Sequence, residues 1–265
     1  MKTRFALIVF VLSFAFLAES HEMWMQTRKF RFAVAEEANI SFLVGENFEG
    51  EDWGVKREKI EKLESHHLTK TTDLRSLLKP ESKEKLKVKF TEEGTHLLAM
   101  QSTFASIELD AEKFNAYLEE DGLEDAIEWR KKNNATAKPA KERYARYVKL
   151  LVQAGTKTDD TFKKKIGHRL EIVPLANPYQ IKNGDYLGCQ IFFDGKPAAH
   201  QLVKIWNKIG TSTILQNTYS ENDGTIKFPI SSKGPWMVST VKMIASEKPE
   251  ADWQSMWASF VFGIE

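Results

Sequence analysis

His21 is the residue of this chain best placed to do chemistry. Ahead of it stand the cations Lys2 and Arg4, an apolar run from Phe5 to Ala18, and Ala18-Glu19-Ser20, with small residues at the two positions a signal peptidase reads. That order predicts a signal peptide over 1–20, a cut between Ser20 and His21, and a mature chain beginning His21-Glu22-Met23-Trp24-Met25. The apolar run is too short and too weakly flanked to span a bilayer. A histidine at a free N-terminus carries two nitrogens on one short arm. The α-amine titrates near ~7.7–8.0 and the imidazole near ~6.5, so both serve as neutral donors around neutral pH. Together they can chelate one transition-metal ion. Any other start makes the backbone nitrogen an amide and removes the chelate.

Few other residues suit a metal. His96 lies in a strand-like run and is the second expected ligand, provided the mature terminus pairs alongside it. The adjacent pair His66-His67, if extended, points to opposite faces, so at most one ring could contribute. His168 and His200 read as surface residues near strand ends. Met23 and Met25 share a face when extended, a spacing that suits Cu(I) and equally suits core packing. Cys189 is the only cysteine, which excludes an internal disulfide and any thiolate cluster. Arg143, Arg146 and Lys149 would be neighbours on a helix, either as a solvated basic face or, with Glu108, as a buried ion network or anion pocket. No Gly-x-Ser-x-Gly elbow, His-Glu-x-x-His helix or Gly-rich phosphate loop is present, so no catalytic residue is assigned and binding is favoured over catalysis.

The elements that must position these residues are mainly β. Phe30, Phe32 and Val34 alternate, Ile40 to Val44 is β-rich, and Leu86 to Phe90 alternates before the turn at Glu92-Glu93-Gly94 and a second run from His96 to Met100. Between them, Val55 to Pro80 is compatible with helix or strand. Asp110 can cap a helix with Phe114, Tyr117 and Leu118 on one face and Gly122 as its stop; a second helix follows from Leu123, and Tyr144 to Leu151 predicts a third, ending at Gly155. From His168 onward, strand-like runs alternate with Asn183-Gly184, Asp194-Gly195 and Asn222-Asp223-Gly224, the rhythm of an immunoglobulin-like sandwich. The expected architecture is two β-sandwich units with a helical insert between them: an N-terminal sandwich over 21–109, the insert over 110–160, and an immunoglobulin- or transthyretin-like sandwich over 161–265. Cleavage would remove two cations and one anion (Glu19), taking the formal charge from +1 to zero. That balance argues against nucleic acid as a partner. No later stretch is apolar for long enough to span a membrane.

Several segments in this order resemble one family of exported bacterial proteins, a domain of unknown function whose better-understood relatives are periplasmic components of nickel uptake systems. They are His21 to Gln26, Phe42-Leu43-Val44-Gly45-Glu46-Asn47-Phe48-Glu49-Gly50, Ile107 to Leu118, Glu142 to Lys149, Val173 to Tyr179, and Asp252 to Ser259. The resemblance implies a periplasmic metal-binding protein with the terminal histidine in the site, nickel ahead of copper as cargo, and a membrane transporter component as a possible partner. Only His21 carries over directly. Where nickel-type members often read Val-His-Met, this chain has Val241-Lys242-Met243, and a protonated lysine is a poor ligand. Two alternatives stand beside this one: copper held in a histidine brace, and a metal-free module that binds protein or glycan through surface tryptophans.

Overall fold

The computed structural model describes residues 21–54, 56–78 and 86–265. The expected signal peptide and its cut fall outside the described residues. The described chain is mainly β, with three open sheets and two α-helices, Ala111–Glu120 and Glu124–Lys132. Asp110 caps the first helix, accepting from the Lys113 amide at 2.9 Å, and Phe114, Tyr117 and Leu118 are buried. Gly122, at φ +60°, provides the left-handed residue that ends it.

The largest sheet has ten strands and draws on both halves of the chain. Ile60–His67, Lys70–Asp73 and Gly94–Ser102 come from the N-terminal half; Leu202–Ile209, Ser212–Tyr219, Gly234–Ala245 and Trp253–Ile264 come from the C-terminal half. The charge-rich stretch that suited helix or strand is thus extended in its middle. The strand Ala140–Ala154 joins the halves, pairing antiparallel with Gly94–Ser102 and parallel with Trp253–Ile264. It corrects the expected third helix over Tyr144 to Leu151. From Tyr147 to Ala154 every residue of this strand is buried, so its apolar residues show no period of two, and at that length an unbroken apolar run reads as readily as helix.

The correction also separates Arg143, Arg146 and Lys149. Residues three apart on a strand point to opposite faces. Arg143 lies over the Phe104 ring at 4.0 Å and Arg146 over Tyr144 at 5.5 Å, whereas Lys149 is buried against Glu171 at 2.5 Å. Glu108 is exposed beside Lys141.

Register assigns the two faces of the long sheet. Ala145, Tyr147 and Lys149 share a face with Met256, Ala258 and Phe260. The sheet built on Leu170–Pro174 and Tyr186–Phe193 covers this face, as the Lys149–Glu171 pair and the stacking of Phe228 on Trp236 require. Arg146 and Val148 share the other face with Trp257 and Ser259. There Ser259 Oγ donates to the Met23 carbonyl at 2.6 Å, which puts the first strand, Glu22–Gln26, on this side. The helices cover the same side, with Phe114 and Leu118 packed in one cluster with Val241, Met243 and Trp253.

Candidate metal site

Strand pairing positions His21. Glu22–Gln26 runs antiparallel to Glu37–Glu46, with Glu22 opposite Gly45, so His21 lies next to the end of the longer strand. That strand turns back at once, since Glu46 pairs with Glu49 around a two-residue loop. Asn47 and Phe48 have φ +52° and +56°, the double left-handed geometry of a type I′ turn. A phenylalanine rarely adopts it. Here the strain is offset by burial of the Phe48 ring edge-on against Trp24, centroids 5.4 Å apart. Gly45 is required by the same turn, because a Cβ there would stand 2.1 Å from the Glu49 carbonyl oxygen. The hairpin brings Glu46 beside the histidine, with His21 Nε2 3.8 Å from Glu46 Oε1 and both residues part-exposed.

Alternation sends the next side chain inward. Glu22 is buried, with its carboxylate 3.6 Å from Lys204 Nζ, and Lys204 in turn lies 2.8 Å from Asp121. Burial raises the Glu22 carboxyl to about 7, Lys204 offsetting only part of the cost. Burial alone would lower the Lys204 ammonium, but Asp121 and Glu22 outweigh it and hold it above its ordinary value. The closer contact is to Asp121, which leaves Glu22 the less compensated acid. Nearby, Glu142 is also pushed to about 7 by burial, against hydrogen bonds from Ser255 and Tyr117. Ser239, Ser259 and Trp257 line a small cleft together with Glu22, Asp121 and Lys204.

His96 stands elsewhere. Its ring is buried, stacked on His67 with centroids 4.4 Å apart and planes 17° from parallel, and 4.7 Å from Phe90. Nε2–H donates to the Glu92 carbonyl at 2.9 Å, and burial lowers the imidazole pKa. Phe90 accepts from Ala35 just before the strand Glu37–Glu46 begins, whereas His21 flanks that strand's far end. The two are therefore separated by roughly 30 Å at ~3.3 Å per residue, and the structure does not bring them together.

Of the other histidines, His66, His67 and His168 are buried. His67 Nδ1–H donates to the Thr95 carbonyl at 2.9 Å, while His66 faces Thr71 and Glu64. His168, expected at the surface, is buried with Nδ1 unpaired, and burial followed by the charge of Lys149 holds its pKa well down. His200 is exposed. Met23 and Met25 are both core residues. Lys242 pairs with Asp125 at 3.1 Å. Among the described residues no group of three or more His, Cys, Asp or Glu is arranged to hold a metal. The buried cluster of Glu22, Asp121, Lys204 and Glu142 escaped sequence reasoning. Its one signal was a lysine within the apolar run Leu202-Val203-Lys204-Ile205.

No curated protein matches the chain. Among solved structures, the D0-D1 domain of intimin is 11% identical with a TM-score of 0.21, over 90% of this chain and 96% of that one. A tetra-tandem repeat from the extending region of a large adhesion protein is 9% identical with the same TM-score, over 92% of this chain, which spans about half (49%) of that one. Neither likeness is close enough to carry an argument about fold or activity. A family model, by contrast, matches residues 18–243, most of the chain. The chain therefore belongs to the family described as a domain of unknown function, DUF4198.

Proposed function

We propose that this is an exported, periplasmic protein that binds a transition-metal ion at its processed N-terminus, nickel before copper, for uptake or handling with a membrane transporter component. The observation that carries the reading is the carboxylate of Glu46 standing 3.8 Å from His21 Nε2. Freed by cleavage, the His21 amine and imidazole would supply two nitrogens and Glu46 an oxygen, at a part-exposed strand end that an incoming ion can reach. A mixed nitrogen and oxygen set with open positions suits a hexacoordinate divalent ion. A copper brace would need a second imidazole, and His96 is committed elsewhere. Because Cu(II) outcompetes Ni(II) at nitrogen donors generally, selectivity would rest on supply and on the transporter. The finer architecture belongs to the same proposal: two sandwiches that share the long sheet, the second immunoglobulin- or transthyretin-like.

The test is the intact mass of the exported protein, followed by Ni(II) and Cu(II) titration of wild type, His21→Ala and Glu46→Gln. The reading expects a mass starting at His21, binding abolished by His21→Ala, and affinity lowered at least about tenfold by Glu46→Gln, since losing a ligand costs no less than losing a contact that supports one. A different terminus, or binding indifferent to His21, overturns it.

A further inference from the structure

The ten-stranded sheet ends in two unlike edges. At one, Lys70–Asp73 is a four-residue strand with Lys70 paired to Glu92 and Asp73 to Arg75, the short charged edge that discourages pairing. At the other, Ser212–Tyr219 runs eight residues with no charge and no proline, and leaves Ile214, Leu215 and Tyr219 exposed. Every residue of this strand is exposed or only part-buried, so nothing in the described chain covers it. It carries none of the devices that protect an edge.

Its hydrogen-bonding pattern can be worked out from the hairpin. Ile209 and Ser212 close a two-residue loop, so they form a hydrogen-bonded pair, and such pairs recur at every second position. Further along, Ser220 donates to the Gln201 carbonyl, as this alternation requires. The even-numbered residues are therefore bonded to Leu202–Ile209. Thr213, Leu215, Asn217 and Tyr219 point their N–H and C=O groups outward.

We propose that this edge pairs with the same edge of a second copy, antiparallel about a twofold axis perpendicular to the sheet. One register uses all four outward residues of each strand. It is centred on Gln216, with Thr213 opposite Tyr219 of the second copy and Leu215 opposite its Asn217. No register of this uncharged strand places like charges together, whereas a charged partner strand would find no counter-charge on it. Such a closed, isologous contact fuses the two long sheets and leaves only the charged edges exposed.

The register makes the test specific. The two Gln216 residues become a non-hydrogen-bonded pair with Cα atoms ~4.5 Å apart, inside the ~4.4–6.8 Å range of a disulfide. The two Ile214 residues stand four positions apart, ~13 Å. Native Cys189 is buried and does not compete. The exported chain should sediment as a dimer. Under mild oxidation Gln216→Cys should crosslink within that dimer, Ile214→Cys alone should not, and an Ile214→Cys and Thr218→Cys mixture should form the mixed species. Asn217→Pro, which removes an outward N–H and leaves the internal ladder intact, should weaken the dimer at least tenfold. A monomer across the micromolar range, equal crosslinking at 216 and 214, a dimer indifferent to Asn217→Pro, or an unrelated peptide held on the edge would each overturn the proposal.

Discussion

Replacing Lys149 with methionine tests how the two halves of the molecule are held together. Lys149 lies on the strand that joins them, and its ammonium crosses to Glu171 of the covering sheet at 2.5 Å and to the Ile172 carbonyl at 3.1 Å. The two side chains are only 2% and 4% exposed, so the pair is desolvated. Glu171 also accepts from the Ile166 and Gly167 amides. Methionine keeps the packing of the lysine stem and removes only the charge. Breaking a buried pair by deleting one partner costs about 3–5 kcal/mol, because the remaining charge is left uncompensated. Lys149→Met should therefore lower the folding constant by two to four decades at ~1.4 kcal/mol per decade. The urea midpoint would fall by roughly 1–2 M for an m-value near ~3 kcal/mol/M. Adding Glu171→Gln neutralises the stranded charge, and its amide oxygen still accepts from one of the two amides, Ile166 or Gly167, which bond to different carboxylate oxygens. The double variant should be more stable than Lys149→Met alone. Urea denaturation of wild type, both single variants and the double gives the cycle. A cost below about 1 kcal/mol for Lys149→Met, or single effects that simply add, would refute the view that this pair carries the contact.

The carboxyls of Glu22 and Glu142, both raised to about 7 from 4.5, make the folded chain hold protons that the unfolded chain has lost between those values. The stability they lend is complete below about pH 4 and is lost as pH rises through 7, up to about 3 kcal/mol each. Urea midpoints should fall from pH 5 to pH 8, and Glu142→Gln should remove one proton's share of that slope; a flat profile contradicts the assignment. Gly45→Ala forces a Cβ onto the Glu49 carbonyl and should displace Glu46, weakening metal binding at least as much as Glu46→Gln and lowering the melting temperature. Unchanged binding would show that the hairpin does not position the carboxylate. His96→Phe should leave metal affinity as it was while costing about 1 kcal/mol of stability for the lost Glu92 hydrogen bond. A fall in affinity would put His96 back among the ligands.

What the sequence made legible is the local part of the fold. Asp110 and Gly122 mark the first helix because cap and stop signals act within one turn. Asp194-Gly195 marks a turn because both residues must take positive φ. The strand Ala140–Ala154 was misread as helix because burial on both faces erases the alternation by which strands are recognised. Once it is a strand, the segment 110–160 is only partly helical: Ala111–Glu120 and Glu124–Lys132 are helices, and Ala140–Ala154 is the seam of a sheet common to both halves.

The candidate site divides in the same way. His21 was singled out by the signal expected in front of it, and Glu46 lay inside a segment already marked out, yet nothing local joined the two. Their meeting depends on the register of Glu22 opposite Gly45, a pairing across more than twenty residues that leaves no trace in periodicity. The same register explains why the C-terminal half matters to His21. With His21 turned outward, Glu22 must turn inward, and there it meets a lysine from Leu202–Ile209 and an aspartate from the end of the first helix. These contacts fix the first residues of a strand that would otherwise fray, since a terminal strand residue has a partner on one side only. A residue at the start of a strand is held by whatever is buried beside it. The undercompensated carboxyl of Glu22 is thus the residue through which pH and the packing of the C-terminal half would reach His21 and the proposed metal site.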